Sequence, residues 1–198
     1  MQHILWDDFG KSSPVFAPDC CTIAYSARKG ADWFVVVNDD VVAGPYEGLS
    51  PGGICFSEDS KRMAFVVKRG SEWVAVVDGR EESPFPTIVL QSWLFSPDAS
   101  RFAYVAAVND REAAVVIDGD VQKPWAHDER TIGFTGGLIF SPDSKRLAYG
   151  VVQKSGFLLR KSAFTYIIDG VSQRPYDGLC SGWERYPNWA KFPDYGKV

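Results

Sequence analysis

Phe140-Ser141-Pro142-Asp143-Ser144-Lys145-Arg146-Leu147-Ala148-Tyr149 decides the fold, because its pattern occurs four times. The matching runs open at Phe16-Ala17-Pro18-Asp19, Phe56-Ser57-Glu58-Asp59 and Phe95-Ser96-Pro97-Asp98, so successive copies stand 40, 39 and 45 residues apart. Each leads to alanine and an aromatic: Ala24-Tyr25, Ala64-Phe65, Ala103-Tyr104 and Ala148-Tyr149. An apolar run and a turn follow: Val74 to Val77 before Asp78-Gly79, Ala114 to Ile117 before Asp118-Gly119, Tyr166 to Ile168 before Asp169-Gly170. The first copy has Val35 to Val37 before Asn38-Asp39-Asp40 instead. Every copy then reaches proline beside an aromatic, at Pro45-Tyr46, Pro84-Phe85, Pro124-Trp125 and Pro175-Tyr176.

Each piece carries its own physics. Ser-Pro-Asp is turn chemistry, with proline fixing φ and the Asp or Ser oxygen bonding nearby backbone. Asp-Gly supplies the positive φ values of a tight type I′ hairpin. Proline in the last segment suits an edge strand, where a missing N–H does no harm. Each copy therefore predicts four short strands: A, ending at the Phe; B, at the Ala-aromatic pair; C, before the Asp-Gly; D, around the Pro-aromatic pair. Strand C is almost continuously apolar, as expected of a sheet covered on both faces. Four-stranded repeats of about 40 residues are the signature of a propeller. The expectation is an all-β chain: a β-propeller of about four four-stranded blades. They span roughly 11–50, 51–90, 91–134 and 135–180, with partial strands at 1–10 and 184–198. Trp6 precedes Phe16 as Tyr46 precedes Phe56, so the N-terminus reads as part of a D strand, and Phe192-Pro193-Asp194 reads as the start of another A strand. Three arrangements stay open: a compact four-bladed ring, an arc completed by a second copy, or a segment of a larger ring.

The run at 140–149 resembles the WD-repeat-like blades of TolB-type propellers, which also occur in prolyl-oligopeptidase-like peptidases. That resemblance implies the propeller fold over nearly the whole chain. It implies little about function, because one fold hosts many.

Composition narrows the partners. The net charge of −4 and isoelectric point near 5.2 supply no basic field for phosphates, which excludes nucleic acid. No apolar run approaches the roughly 18 residues needed to span a bilayer, and Met1-Gln2-His3-Ile4-Leu5 lacks the basic start of a signal peptide. The expected location is cytoplasmic, with no membrane partner. Cys20, Cys21, Cys55 and Cys180 show no C-x-x-C spacing and are expected to be reduced.

Candidate chemistry is sparse. Gly48-Leu49-Ser50-Pro51-Gly52 matches the nucleophile-elbow pattern, and Gly178-Leu179-Cys180-Ser181-Gly182 matches it with cysteine, but an elbow needs a helix after its turn and none is predicted. Both read as connectors between strands D and A. His3 and His127 are the two imidazole bases, and no spacing joins either to a triad. The recurring Asp98 and Asp143 could suggest a lactonase-like calcium site, but capping their own turns explains them. Lys61-Arg62, Arg101 and Lys145-Arg146 fall in the same turns, where neighbouring Asp residues offset a basic rim. No catalytic, cofactor or metal residues are assigned, and the chain is read as a non-enzyme.

Departures from the repeat say more. From the Phe of strand A to the Asp of Asp-Gly is 22 and 23 residues in copies two and three but 29 in copy four, with the extra residues around 154–161. From Pro to the next Phe is 11, 11 and then 16 residues, the insertion holding Trp125 to Thr135. B–C and D–A connections leave the same face of a blade in the resembling propellers, so both insertions would decorate one face, a mark of a binding surface. The leading expectation is a non-catalytic scaffold that binds a protein or ligand through the 124–135 and 153–163 loops. Candidate partner-binding residues are Trp125, His127, Arg130, Phe157, Leu158, Leu159 and Arg160. Two alternatives are a segment that gates substrate for a prolyl-oligopeptidase-like hydrolase, and a lactonase-like metal hydrolase.

Overall fold

The computed structural model describes residues 5–11, 13–126, 134, 137–155 and 161–174. Over them the chain forms twenty β-strands in four antiparallel sheets and no helix. Blade 1 comprises β1 (Asp8–Phe9), β2 (Val15–Phe16), β3 (Ile23–Lys29), β4 (Asp32–Val37) and β5 (Asp40–Tyr46). Blade 2 repeats it with β6 (Gly48–Leu49), β7 (Cys55–Phe56), β8 (Met63–Arg69), β9 (Glu72–Val77) and β10 (Arg80–Phe85). Blade 3 has β11 (Thr87–Ile88), β12 (Leu94–Phe95), β13 (Phe102–Asn109), β14 (Glu112–Ile117), β15 (Asp120–Val121) and β16 (Trp125–Ala126). Blade 4 has β17 (Ile139–Phe140), β18 (Leu147–Ser155), β19 (Lys161–Ile168) and β20 (Val171–Ser172).

The four-strand expectation holds, with one refinement. Strand A comes in two halves, both paired with strand B. Gly48 and Leu49 pair with Lys68 and Val67, while Cys55 and Phe56 pair with Ala64 and Met63. A turn separates the halves, closed by Gly53 N donating to Ser50 O at 3.2 Å in blade 2 and by Ser92 N donating to Val89 O at 3.2 Å in blade 3. Gly48-Leu49 and Thr87-Ile88 thus belong to the sheet that follows them, and the seams fall just after Tyr46 and Phe85 rather than at residues 50 and 90.

The turns adopt the predicted conformations. Asp78 and Gly79 have φ of 50° and 79°, Asp118 and Gly119 53° and 86°, and Asn38 and Asp39 48° and 70°, all in the left-handed region that type I′ requires. The D-strand prolines sit at breaks in the ladder. Register shifts occur opposite Gly44-Pro45 and between Glu81 and Pro84, so each proline stands at an irregularity of the outermost strand, where it is tolerated.

Side-chain alternation builds one core per seam. Ala24, Val35 and Tyr46 of blade 1 pack on Ile54, Phe65, Val67 and Val76 of blade 2. Ala64, Val66, Ala75 and Phe85 then pack on Ile88, Trp93, Phe95, Phe102 and Tyr104 of blade 3. Ala103, Val105, Val115 and Trp125 meet Phe140, Leu147, Tyr149 and Val151 of blade 4. Each blade presents small residues at its front and large ones at its back. Ala24, Ala64 and Ala103 are fully buried at the fronts. The backs carry the B-strand aromatics, and the D-strand aromatic of the preceding blade crosses the seam to meet them. Ring centroids are 6.0 Å apart for Tyr46–Phe65, 6.1 Å for Phe85–Tyr104 and 5.7 Å for Trp125–Tyr149. Such separations suit tilted and edge contacts between aromatic quadrupoles.

Truncating one crossing ring leaves a cavity on both blades. Phe85→Ala should cost about 3–5 kcal/mol and lower the melting midpoint by about 10 °C, read by calorimetry. A change within error would place Phe85 outside the core.

Candidate binding face

One face of the array carries the A–B and C–D turns, which share a polar network. In blade 2 Ser57 Oγ donates to Asp59 Oδ1 at 2.7 Å and accepts Arg62 N at 3.0 Å. Blade 3 repeats this with Ser96, Asp98 and Arg101 at 2.6 and 3.0 Å, and blade 4 with Ser141, Asp143 and Arg146 at 2.5 and 3.0 Å. The Ser hydroxyl, then backbone N–H groups, hold the Asp59, Asp98 and Asp143 carboxyls below the usual carboxylate range. Those aspartates are turn caps, as their sequence context predicts.

The arginines of these turns reach the Asp of each Asp-Gly. Arg62 Nε donates to Asp78 at 2.7 Å, Arg101 to Asp118 at 3.1 Å and Arg146 to Asp169 at 2.7 Å. The other oxygen of each carboxylate accepts a backbone N–H, from Met63, Phe102 and Leu147. Two of the guanidiniums also cross a seam: Arg62 lies 4.9 Å from the Phe95 ring centroid and Arg101 5.7 Å from that of Phe140. The suspected basic rim is thus neutralised by ion pairs. Blade 1 lacks the pair at both ends at once: Thr22 replaces the arginine, and Asn38 replaces the aspartate while still accepting Ile23 N at 3.0 Å. Arginine and aspartate have been exchanged together, as expected if each leaves the other's charge uncompensated.

The opposite face carries the B–C hairpins and the connections entering each new blade. Direct hydrogen bonds join them: Gly30 N donates to Asp7 Oδ2 at 2.7 Å and Gly70 N to Glu47 Oε2 at 3.0 Å. The expectation that both connections share a face is therefore met in blades 1 and 2. The fourth hairpin is longer. Its ladder runs from Ala148↔Ile168 to Ser155↔Lys161, eight pairs, where blades 1 and 2 have six. At about 3.3 Å per residue its strands reach about 7 Å further out. Part of the copy-four insertion is thus continued β-ladder rather than loop.

Of the predicted partner-binding residues, Trp125 alone is described. It is 5% exposed and its ring packs on Tyr149, so it is a seam residue and not a surface anchor. Its register matches Tyr46 and Phe85, and the Pro124-Trp125 pair already carried that signal. His127, Arg130, Phe157, Leu158, Leu159 and Arg160 lie outside the described residues, as do His3 and Cys180. Ser50 is 8% exposed and its Oγ accepts Gly52 N at 3.3 Å within the strand-A turn, which strand β7 follows. Gly52 is required there, because a Cβ would enter the Trp93 ring of the next blade. Cys20, Cys21 and Cys55 are free thiols. Among the described residues no three His, Cys, Asp or Glu side chains gather as metal ligands would.

A cleft of about 940 Å³ opens between blades 2 and 3, lined by Arg62, Asp78, Arg80, Glu82, Ser100 and Asp118 among others. Glu82 Oε2 and the Tyr104 hydroxyl are both buried there without a well-formed hydrogen bond, yet they lie near enough for each to shift the other. Burial pushes the Glu82 carboxyl up, against a lowering contribution from the Tyr104 hydroxyl. Burial, then the Glu82 charge, pushes the Tyr104 hydroxyl up.

The four-sheet array defines a β-propeller. In fold it is similar to the β-propeller domain of the Trilobed protease from Pyrococcus furiosus, at 13% identity and a TM-score of 0.54, covering 85% of this chain and 57% of that one. It is also similar to the acylaminoacyl peptidase of Pyrococcus horikoshii, at 13% identity and a TM-score of 0.49, covering 86% of this chain and 34% of that one. TolB from Acinetobacter baumannii aligns at 16% identity and a TM-score of 0.30, over 80% of this chain and 51% of that one. The chain therefore spans little more than half the length of the first of these, and the likeness is one of fold. No family model matches the chain, and no curated protein matches it in sequence.

Two outcomes test this chemistry. Arg101→Thr should destabilise the fold, and adding Asp118→Asn should recover part of the loss by recreating the blade 1 solution, with a coupling of about 0.5 kcal/mol in a denaturant cycle. Additive losses would contradict the pairing. For Glu82, a raised folded pKa means its stabilising form is fully present below the unfolded value and lost as pH rises through the folded one. Glu82→Gln should raise the midpoint by about 2 °C at neutral pH, and the gain should vanish below about pH 4. A gain independent of pH would assign it to packing instead.

Proposed function

We propose that this propeller is a non-catalytic scaffold that binds a protein partner on the face of its B–C hairpins, around 124–135 and 153–163. The observation that carries the reading is the fourth hairpin, whose ladder exceeds those of blades 1 and 2 by two residue pairs on that face. The ladders of blades 1, 2 and 3 have six pairs each, so the repeat itself does not call for the surplus. The uniform A–B and C–D turns on the other face are committed to their own capping networks. Phe157, Leu158, Leu159 and Arg160 fall between the two long strands in sequence, an apolar triplet whose aromatic and arginine side chains are of the kind that anchor interfaces. His127 and Arg130 belong to the other insertion and would form the rim. On the Phe-Ser-Pro-Asp repeat we also place the chain with TolB-type propellers.

A second reading has one observation in its favour. The similarity to the propeller of a protease, over 57% of that domain, fits a propeller segment that works beside a hydrolase and controls what reaches it. A hydrolase reading frame fused or adjacent to this one at its locus would support that reading.

The scaffold reading is tested by replacing Phe157 and Leu158 with Ser in one variant. Its melting midpoint should stay within about 1 °C of the parent, because the reading makes the pair a partner anchor rather than part of the core. Crosslinked partners recovered with the parent should be lost from the variant. An unchanged crosslinking profile would contradict the reading.

A further inference from the structure

The seam between blades 2 and 3, both internal to the described array, departs from its neighbours. On the turn face, Asp19 N donates from blade 1 to Ser60 Oγ of blade 2 at 2.9 Å, and Asp98 N from blade 3 to Ser144 Oγ of blade 4 at 3.0 Å. Ala99 holds that position in blade 3, with the same positive φ and no hydroxyl to accept. Arg62 Nη1 crosses there instead, donating to Ala99 O at 2.7 Å. The cleft of about 940 Å³ opens beside this contact, lined by Arg62 and Ser100, and its size is that of a ligand pocket.

Strand D changes at the same seam. Glu82 stands two residues before its proline, where the other copies have Ala43, Gln122 and Gln173. Each glutamine turns back on its own strand, Gln122 Nε2 donating to Asp120 O and Gln173 Nε2 to Val171 O, both at 3.1 Å. A carboxylate has no donor and cannot copy that bond. Arg80 follows the C–D turn, where the other copies have Asp40, Asp120 and Val171. Copy two alone therefore carries an acid and a base at these two positions, and both line the cleft.

The other charges of the cleft are matched. Asp78 pairs with Arg62, Asp118 with Arg101 and Glu81 with Arg69. Among the described residues Glu82 and Arg80 have no ion pair, with each other or with a third group. Burial and the nearby Asp118 charge oppose the charge of Glu82, and a cation beside it would relieve both. Among the described residues no three side chains gather as metal ligands, which favours an ammonium over a metal ion. Two residues of β10 span about 7 Å, and the termini of an extended dipeptide stand about 7 Å apart.

We propose that the cleft between blades 2 and 3 binds a zwitterion of dipeptide size, its ammonium on Glu82 and its carboxylate on Arg80. The site is independent of the scaffold reading, which uses none of these residues. Calorimetric titration with alanylalanine tests it. The parent should bind the dipeptide saturably. N-acetyl-alanylalanine and alanylalanine amide, each lacking one charge, should bind about tenfold more weakly. Glu82→Gln should bind the free and the N-acetylated peptide alike while still preferring the free carboxylate to the amide. Arg80→Gln should show the converse. Both variants should keep the parent's circular dichroism, since Arg80 is exposed and glutamine already stands at the matching positions 122 and 173. No saturable binding by the parent up to about 10 mM overturns the proposal, and so does a capped peptide that binds as tightly as the free one. A Glu82→Gln variant that still prefers the free ammonium would place that group elsewhere and overturn it as well.

Discussion

Large side chains at the back of one blade, seated on small ones at the front of its neighbour, are the contact on which the rest of this molecule depends. A four-stranded sheet of this composition has two apolar faces, and among the described residues no helix covers either. It can bury them only between copies of itself, the physics common to repeat proteins. The fully buried alanines at 24, 64 and 103 leave room for Phe65, Tyr104 and Tyr149 behind the next seam, and the D-strand aromatic closes each seam from outside. Each fully buried large side chain contributes about 1.5–3 kcal/mol, so a handful of them outweighs everything the turns supply. The same contact explains why strand C is apolar on both faces.

Polar chemistry serves this packing by fixing where strands begin and end. The Ser–Asp cap sets the A–B turn, the Asp-Gly carboxylate sets the start of strand B, and the arginine between them reaches toward the next blade's aromatic. Because these carboxylates are hydrogen-bonded in their charged form, that part of the stability is complete above the ordinary carboxylate pKa. It drains as pH falls below it toward the depressed folded values. Glu82 runs the other way. It is a carboxyl placed where burial opposes its charge, in the cleft between blades 2 and 3.

Much of this was legible in the residues. Recurrence of Phe-Ser-Pro-Asp, Ala-aromatic, Asp-Gly and Pro-aromatic implied four strands per copy, type I′ turns and prolines on an outer edge strand, because each is a local backbone requirement that its residues meet. The halved inner strand was not legible. One residue, Glu47 or Pro86, separates the D-strand aromatic from the first half of the next strand A, so a sheet boundary passes with no turn signal. That is why Gly48-Leu49-Ser50 read as a connector. Trp125 read as a loop anchor because it opens an insertion, although its place after Pro124 matched two buried aromatics. The arginine–aspartate pairs were visible only as a correlation, Thr22 with Asn38 against three charged pairs, and a correlation needs geometry before it becomes a contact. The binding residues proposed on the long hairpin rest on sequence alone.

The packing account stands or falls on whether rings from different blades interact rather than merely share a sequence pattern. A double-mutant cycle on Tyr46→Leu and Phe65→Leu in urea isolates that interaction at the first seam, since leucine keeps both sites apolar. The rings lie 6.0 Å apart at 64°, and the account predicts a coupling of about 0.5–1.5 kcal/mol. Strictly additive losses would mean that the two blades do not meet through these rings, and would contradict it.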